Sequence, residues 1–418
     1  MQFYVKKNSG RTWYKNVTVS LFHLIRESII LSLPIRKFPS FIIKLLYGVI
    51  PEFIFFVHPR RTEDIYIGFP PSFLMRRFLG RKLFLKVFFK FPPFLLSTLK
   101  TRNGVNGLVI SSPILPQIFF KDRKKTMEEA LKGLQFASKI TKKRSVFGLG
   151  GLWPMVTRRG LTLKNYAKEK NLVITNGHSG TLLSIFLTIK KISSLVNMPL
   201  ERIKIVLLGV GKMGENLAQI LWGKISSLTI VDINEFRINS TEKKLKNIPS
   251  VTELHKYTSN NGITTLKEIL AKGHIIVCTT SNIRRIMKPE DVPEYSIIID
   301  DSRPEAIPRN LSDNKIVIEG GLLKIPGLIQ HYDFGFGIDD NVFGCLAETF
   351  LLASDPSKLL IPTIGKVDFK NFYKMAAACE VLNVRVGNFK CRDKIIKNKT
   401  VVSILRKKIN LLNKSEKE

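Results

Sequence analysis

Residues Glu201–Asp232 read ERIKIVLLGVGKMGENLAQILWGKISSLTIVD. The run Ile203–Leu208 is short, apolar and β-branched, the pattern of a buried parallel strand. Gly209-Val210-Gly211-Lys212-Met213-Gly214 follows at once. In such a turn the first glycine permits the sharp exit from the strand, the second lets a pyrophosphate approach the backbone, and the third lets the next helix, Glu215–Leu221, pack closely on the sheet. The helix start, with Lys212 and Met213, offers N–H groups to the phosphates. A second run, Leu228–Val231, ends in Asp232, about 20 residues on, where a carboxylate hydrogen-bonds a ribose hydroxyl. These residues point to NADH or NADPH. Asp232 favours NADH, because a 2′-phosphate would meet its negative charge, although Arg237 nearby could accept that phosphate.

The alternation of strand and helix continues beyond Asp232. Leu266–Lys272 reads as a short helix; His274–Thr279, Ser296–Ile299 and Lys315–Ile318 read as strands. The expected fold class is α/β: a Rossmann-type doubly wound parallel sheet, an additional N-terminal α/β substrate domain and a C-terminal helical segment. Boundaries are placed at 1–52 for a basic amphipathic N-terminal extension, 53–198 for the substrate domain, 199–330 for the dinucleotide-binding domain and 331–418 for the C-terminal segment with its basic tail.

A chain of 418 residues with 44% hydrophobic content can bury a large core. Its net charge of +34 calls for an anionic partner. Met1–Arg144 holds 27 Lys and Arg against 7 Asp and Glu, so 20 of the 34 net charges lie in the first third. Four cysteines show neither CxxC spacing nor a paired histidine, so no zinc site or disulfide framework is expected, and a reducing cytoplasm fits. The first apolar stretch, Val17–Leu33, is interrupted by His23, Arg26 and Glu27, which excludes a secretory signal peptide. It reads as an amphipathic helix, with Val17, Leu21, Leu24, Ile25 and Ile29 near one face and Ser20, His23 and Glu27 on the other. Phe38–Val57 has about the length of a membrane span, but Pro39, Lys44, Pro51 and Glu52 interrupt it, so a buried or interfacial helix is expected. Arg76–Ser97 interleaves cations with Phe78, Leu83, Phe84 and Phe88, a composition that suits an anionic membrane surface, peripheral rather than spanning, a long acyl chain with its acidic carrier, or a partly buried helix that packs its lysine stems.

Upstream of the dinucleotide unit, Arg123–Thr141 reads as a helix, Ser145–Gly151 as a glycine loop and Leu172–Thr175 as a strand ending at Asn176-Gly177-His178-Ser179-Gly180-Thr181, before a long helix Leu182–Val196. Downstream, Asn341–Phe350 (NVFGCLAETF) reads as a helix over 339–354 capped by Asp339 or Asp340, with Cys345 in its first two turns, where the dipole lowers a thiol pKa. Glu348, one turn on, either orients a partner or faces solvent.

VFGCLAETFLLA resembles the cysteine-bearing helix of the long-chain acyl-(acyl-carrier-protein) reductases, a family that forms fatty aldehydes and whose pattern there is roughly FxCxAExxxLxxE. The family's TGNxHT stretch, long helix and glycine loop are similar, in order and spacing, to Thr175–Thr181, Leu182–Val196 and Gly209–Gly214. Its GG loop resembles Leu149-Gly150-Gly151, its aspartate-proline strand end resembles Asp300–Pro304, and its other strand end resembles Glu319-Gly320-Gly321. The resemblance spans about Phe55 to Val386. The loop GVGKMG departs from the family's usual GATGDIG toward glutamyl-tRNA reductases and shikimate dehydrogenases, and TNGHSGT rearranges the family's histidine stretch. The resemblance implies Cys345 as nucleophile toward an acyl carrier protein or acyl-CoA thioester and hydride from NADPH or NADH. His178 and His331 are then the candidate proton donors. An aldehyde-deformylating oxygenase often accompanies the family.

Two other classes fit parts of the chain. One is an NAD(P)-dependent dehydrogenase of shikimate or amino-acid type, which needs a Lys–Asp pair that the sequence does not reveal, or a glutamyl-tRNA reductase, whose nucleophile lies in an N-terminal motif where this chain has no cysteine before Cys278. With that reading disfavoured, nucleic acid is not an expected partner. The other is a non-catalytic membrane-surface binding protein on a Rossmann scaffold.

Overall fold

The computed structural model describes residues 10–258, 265–280, 286–302, 305–312, 314–333, 335, 337 and 339–415. The chain forms two compact units. The first comprises Met1–Gly180, Lys324–Phe334 and Ile338–Val384; the second comprises Thr181–Leu323, Gly335–Gly337 and Arg385–Glu418. Residues expected to form an N-terminal extension therefore belong to the first unit, and the C-terminal segment is divided between the two.

The first unit opens with helices α1 (Gly10–Ser32) and α2 (Ser40–Tyr47), then strand β1 (Phe53–Val57). Helices α3 (Thr62–Gly68) and α4 (Pro71–Phe88) lead to β2 (Phe94–Leu99) and β3 (Gly107–Ser111). Next come α5 (Pro116–Lys121), α6 (Arg123–Ile140), β4 (Val146–Leu149), α7 (Trp153–Val156), α8 (Lys164–Glu169), β5 (Val173–Thr175) and the start of α9 (His178–Leu195), whose residues from Thr181 onward belong to the second unit. The sheet order is β2-β3-β1-β4-β5, parallel except for the antiparallel β2–β3 pair.

Phe38–Val57 is thus not one helix. Pro51 and Glu52 separate α2 from β1, the central strand, whose Phe53, Ile54, Phe55 and Phe56 are buried. Phe56 stacks on Trp153 at 4.8 Å, and α6 comes close because a Cβ at Gly133 would press into the Phe56 ring. Arg76–Ser97 likewise divides between α4, kinked at Gly80 (φ 69°), and β2. Ser145–Gly151 is a strand followed by a turn, since Val146–Leu149 is fully buried. The expected helix over Arg123–Thr141 is present, with Ala130, Leu134 and Ala137 inward.

Helix α1 turns Ser20, His23, Arg26 and Glu27 into the fold and leaves Leu21, Phe22, Ile25 and Ile29 exposed. Its last carbonyls are capped from far along the chain: the Lys139 ammonium donates to Ile30 O (2.9 Å), Leu31 O (2.9 Å) and Leu33 O (2.7 Å).

The second unit contains β6 (Lys204–Leu208), α10 (Lys212–Leu221), β7 (Ser227–Asp232), α11 (Glu235–Lys246), β8 (Glu253–Thr258), α12 (Leu266–Ala271), β9 (Ile275–Cys278), β10 (Ile297–Asp300) and β11 (Ile316–Glu319). Its order, β8-β7-β6-β9-β10-β11, is parallel throughout. Counted from β6 this is 3-2-1-4-5-6, the doubly wound Rossmann arrangement, with its switch point between β6 and β9. Beyond β10, Arg309 is buried with Nη1 2.8 Å from Asp300 and Nε 3.3 Å from Glu319, clamping the ends of β10 and β11. Arg303 and Pro304, in the matched Asp300–Pro304 stretch, lie outside the described residues.

Short strands β12 (Leu322–Lys324) and β13 (Asn341–Phe343) precede α13 (Gly344–Ala353) and α14 (Phe369–Val381). The tail is β14 (Arg385–Val386), the hairpin β15 (Phe389–Cys391) and β16 (Lys394–Ile396), and α15 (Asn398–Ser415). Helix α15 packs on β10 with Val401 and Leu405 buried, so the basic tail is an integral helix of the second unit. Among the described residues no helix is long and apolar enough to cross a membrane.

Candidate active site

Cys345 is the second residue of α13. The helix starts at Gly344 with Phe343 as an extended N-cap (φ −63°, ψ 147°), because Asn341–Phe343 form a strand. The expected caps, Asp339 and Asp340, therefore lie before that strand. Asp339 instead accepts the Asn341 N–H at 2.8 Å. The shift brings Cys345 into the first helical turn, at the positive end of the peptide dipoles, where a thiolate is stabilised. Cys345 is partly exposed, whereas Cys278 and Cys379 are buried. Burial pushes the Cys379 thiol up to about 12, and it raises those of Cys278 and Cys391 as well.

Two glycines of the TNGHSGT stretch bring the start of α9 against the start of α13. Gly177 (φ +73°) sits so close to Cys345 that a Cβ there would overlap the cysteine Cβ and lie 2.7 Å from its Cα. A Cβ on Gly180 would overlap the Gly344 carbonyl oxygen and approach the Glu348 Cβ to 2.7 Å. Between them stands His178, whose backbone N–H donates to Asn176 Oδ1 at 2.9 Å. The structure thus sets the Gly177 backbone, one residue before His178, against Cys345. Burial, and secondarily the Arg159 charge, lowers the imidazole pKa to about 4. At neutral pH the ring is uncharged.

Glu348 is fully buried. Its carboxylate accepts hydrogen bonds from the Thr175 hydroxyl, the Gly180 N–H (2.8 Å) and the Thr363 N–H (3.2 Å). Thr363 Oγ1 in turn donates to Ser179 Oγ at 2.7 Å. Burial raises the Glu348 carboxyl against the lowering effect of these donors. The residue joins the end of β5, the first turn of α9 and the Thr363 loop to the helix that carries Cys345. It does not face solvent. Sequence spacing placed Glu348 one turn from Cys345 but could not reveal these partners.

His331 is held elsewhere in the first unit. Its N–H donates to Ser97 Oγ of the edge strand β2 at 2.9 Å, and burial followed by the Lys100 charge lowers its pKa. Lys324 Nζ lies 2.9 Å from Asp340 Oδ2, with both side chains partly exposed. Among the described residues no cluster of His, Cys, Asp and Glu could hold a metal ion.

In the second unit the glycine loop leaves β6 at the switch point. Gly209 takes φ +91°, and its carbonyl accepts from Thr279 Oγ1 at 2.7 Å. Gly214 packs so tightly that a Cβ would overlap the Gly209 oxygen. Gly211, the N-cap of α10, faces open space where a Cβ would meet nothing within 4 Å, and no side chain caps that helix. The helix begins at Lys212, three residues earlier than expected, which puts Lys212, Met213 and Gly214 in its first turn. Asp232 accepts from Val210 N and Asn234 N, each at 2.9 Å, so it fixes the loop from the end of β7. An open glycine cradle, an uncapped helix start and a carboxylate at the second strand end fit a dinucleotide.

No family model and no curated protein sequence matches the chain. Similar solved structures include the nucleotide-binding domain of glutamyl-tRNA reductase from Thermoplasma volcanium, at 17% identity over 32% of this chain and 84% of that one (TM-score 0.22). Shikimate 5-dehydrogenase from Listeria monocytogenes aligns at 9% identity over 60% and 78% (TM-score 0.30). The 5-ketofructose reductase of Gluconobacter sp. strain CHM43 aligns at 9% over 85% and 97% (TM-score 0.31). All three are named as reductases or dehydrogenases; the Rossmann assignment rests on the strand order.

Proposed function

We propose that the chain is an NAD(P)H-dependent reductase that converts a long-chain fatty acyl thioester, on a carrier protein or coenzyme A, to the fatty aldehyde through an acyl group held on Cys345. The observation that carries this reading is a partly exposed cysteine in the first turn of α13, pressed against Gly177 of the stretch that precedes α9.

The Cys345 thiolate attacks the thioester carbonyl, a new C–S bond forms, and the carrier's C–S bond breaks to release its thiol. N–H groups of the first turn of α13 face the oxygen that gains charge. The neutral His178 imidazole donates a hydrogen bond to that oxygen, a role consistent with its lowered pKa. The Gly209–Gly214 loop and Asp232 would hold a reduced nicotinamide dinucleotide, whose chemistry would supply hydride to an acyl carbon. Cys345 then leaves as thiolate, and its helix dipole favours that departure. Cysteines without disulfides fit a reducing, cytoplasmic setting.

The test is intact-protein mass spectrometry after incubation with palmitoyl-CoA in the absence of nicotinamide, comparing wild type with Cys345→Ala. An acyl adduct on wild type alone, discharged as hexadecanal by NADH or NADPH, supports the reading. Equal acylation of both proteins, or of neither, overturns it.

The partly exposed Lys324–Asp340 pair favours a second reading, a dehydrogenase that reduces a small carbonyl compound by proton transfer from a lysine. In that case carbonyl reduction survives Cys345→Ala and is lost in Lys324→Met.

A further inference from the structure

Helix α1 carries an apolar stripe on its outer side. Its inward face holds Val19 and Ile30 together with Ser20, His23, Arg26 and Glu27, and its outward face holds Leu21, Phe22, Ile25 and Ile29 at 43%, 48%, 59% and 50% exposure. The orientation is locked. Arg26 Nη2 lies 2.6 Å from Glu27 Oε1, with the side chains 5% and 0% exposed, and the Arg26 guanidinium sits 4.0 Å over the Tyr47 ring while donating to Leu46 O at 2.7 Å. Rolling the helix to hide its apolar stripe would pull the Arg26 guanidinium off the Tyr47 ring and the Leu46 carbonyl, so the stripe stays outside.

The neighbours of α1 expose apolar side chains as well. Helix α2, which supplies Leu46 and Tyr47, exposes Phe41 at 72% and Leu45 at 83%. Helix α4, also in contact with α1, exposes Phe78 at 82% and Leu83 at 49% between the exposed cations Arg76, Arg77, Arg81 and Lys82. At the far end of α1, Arg36, Lys37, Lys142, Lys143 and Lys170 surround a single carboxylate, Glu169, in a cleft of about 610 Å³.

An apolar surface of this extent needs a cover. A second copy of the chain would set the α4 cations against one another, whereas anionic headgroups would neutralise them while the acyl boundary takes the rings. No described helix can cross the bilayer, so the contact is with its surface. We propose that the first unit docks on an anionic lipid bilayer through the outward faces of α1, α2 and α4, with the aromatic and aliphatic side chains in the acyl boundary and the arginines on lipid phosphates. The proposal does not rest on the acyl-thioester reading and stands even if Cys345 is inert.

The test is co-flotation of the full chain with phosphatidylcholine vesicles, with and without added phosphatidylglycerol. Flotation with the anionic vesicles, little with the neutral ones, and release by salt is the expected result. Arg76→Gln, Arg77→Gln and Arg81→Gln together weaken the partition by about fivefold per cation removed, and Phe22→Ser with Ile25→Ser abolishes flotation. Because these side chains are exposed, folding is checked by an unchanged melting temperature. If either set fails to fold, Phe78→Trp reads the same contact by a blue shift of its emission on adding anionic vesicles. Absence of flotation, binding indifferent to the substitutions, an unshifted tryptophan, or a dimer that the apolar substitutions dissociate would each overturn the proposal.

Discussion

The backbone N–H of Gly180 donates to Glu348 Oε2 at 2.8 Å, and through this bond the first turn of α9 is tied to the helix that presents Cys345. Glu348→Gln keeps the volume but turns an amide NH2 toward one of the donors that the carboxylate accepts. Leaving a buried donor unmet costs about 1–3 kcal/mol, read as a lower urea midpoint. The iodoacetamide reaction of Cys345 should slow in the same variant, because the two helix starts are no longer held in register.

Gly177 and Gly48 share φ +73°, but only Gly177 is in contact with another element; a Cβ at Gly48 would meet nothing within 4 Å. Gly48→Ala should therefore cost only the left-handed strain, about 1–2 kcal/mol. Gly177→Ala adds the overlap with Cys345 and should cost about 1–3 kcal/mol more. Parallel denaturation curves and thiol titration of the two variants check the difference.

His178 has its pKa lowered from 6.5 to about 4 in the fold, so folding favours the neutral ring. Its contribution to stability is complete above pH 6.5 and declines as the pH falls from there toward 4. His178→Gln should flatten that part of the stability profile. In the wild type the acid limb of kcat/KM should show no step near 6.5 from this residue, which a profile between pH 5 and 8 would test.

Gly211 and Gly214 should separate affinity from stability. Gly211 has an ordinary φ of −62° and open space beside it, so Gly211→Ala should cost about 1 kcal/mol or less. It should nevertheless weaken NADH or NADPH binding tenfold or more, because its methyl occupies the space the pyrophosphate needs. Gly214→Ala should destabilise by about 2 kcal/mol through its overlap with the Gly209 oxygen. Nucleotide fluorescence titration together with thermal melts distinguishes the two.

The dinucleotide unit was legible because each of its signals is local: the glycines, the flanking strands and Asp232 fall within 32 residues. The long-range parts were not. β1 is hidden inside an apolar window because a buried central strand shows no alternation, and length alone suggested a helix. The periodicity of α1 separates two faces, but which face turns inward depends on Tyr47 and Leu46, which lie outside the helix. Glu348 looked ambivalent because its partners Gly180 and Thr175 are 168 and 173 residues away. His331 is anchored through its backbone N–H on Ser97, 234 residues earlier in the chain.

The ammonium that closes the end of α1 belongs to Lys139, 109 residues beyond the Ile30 carbonyl it caps. At ~5–20 residues per second of synthesis the helix waits roughly 5–20 s for that partner. The order of translation therefore leaves the last carbonyls of α1 without this cap until the lysine that pins the helix into the fold has been made.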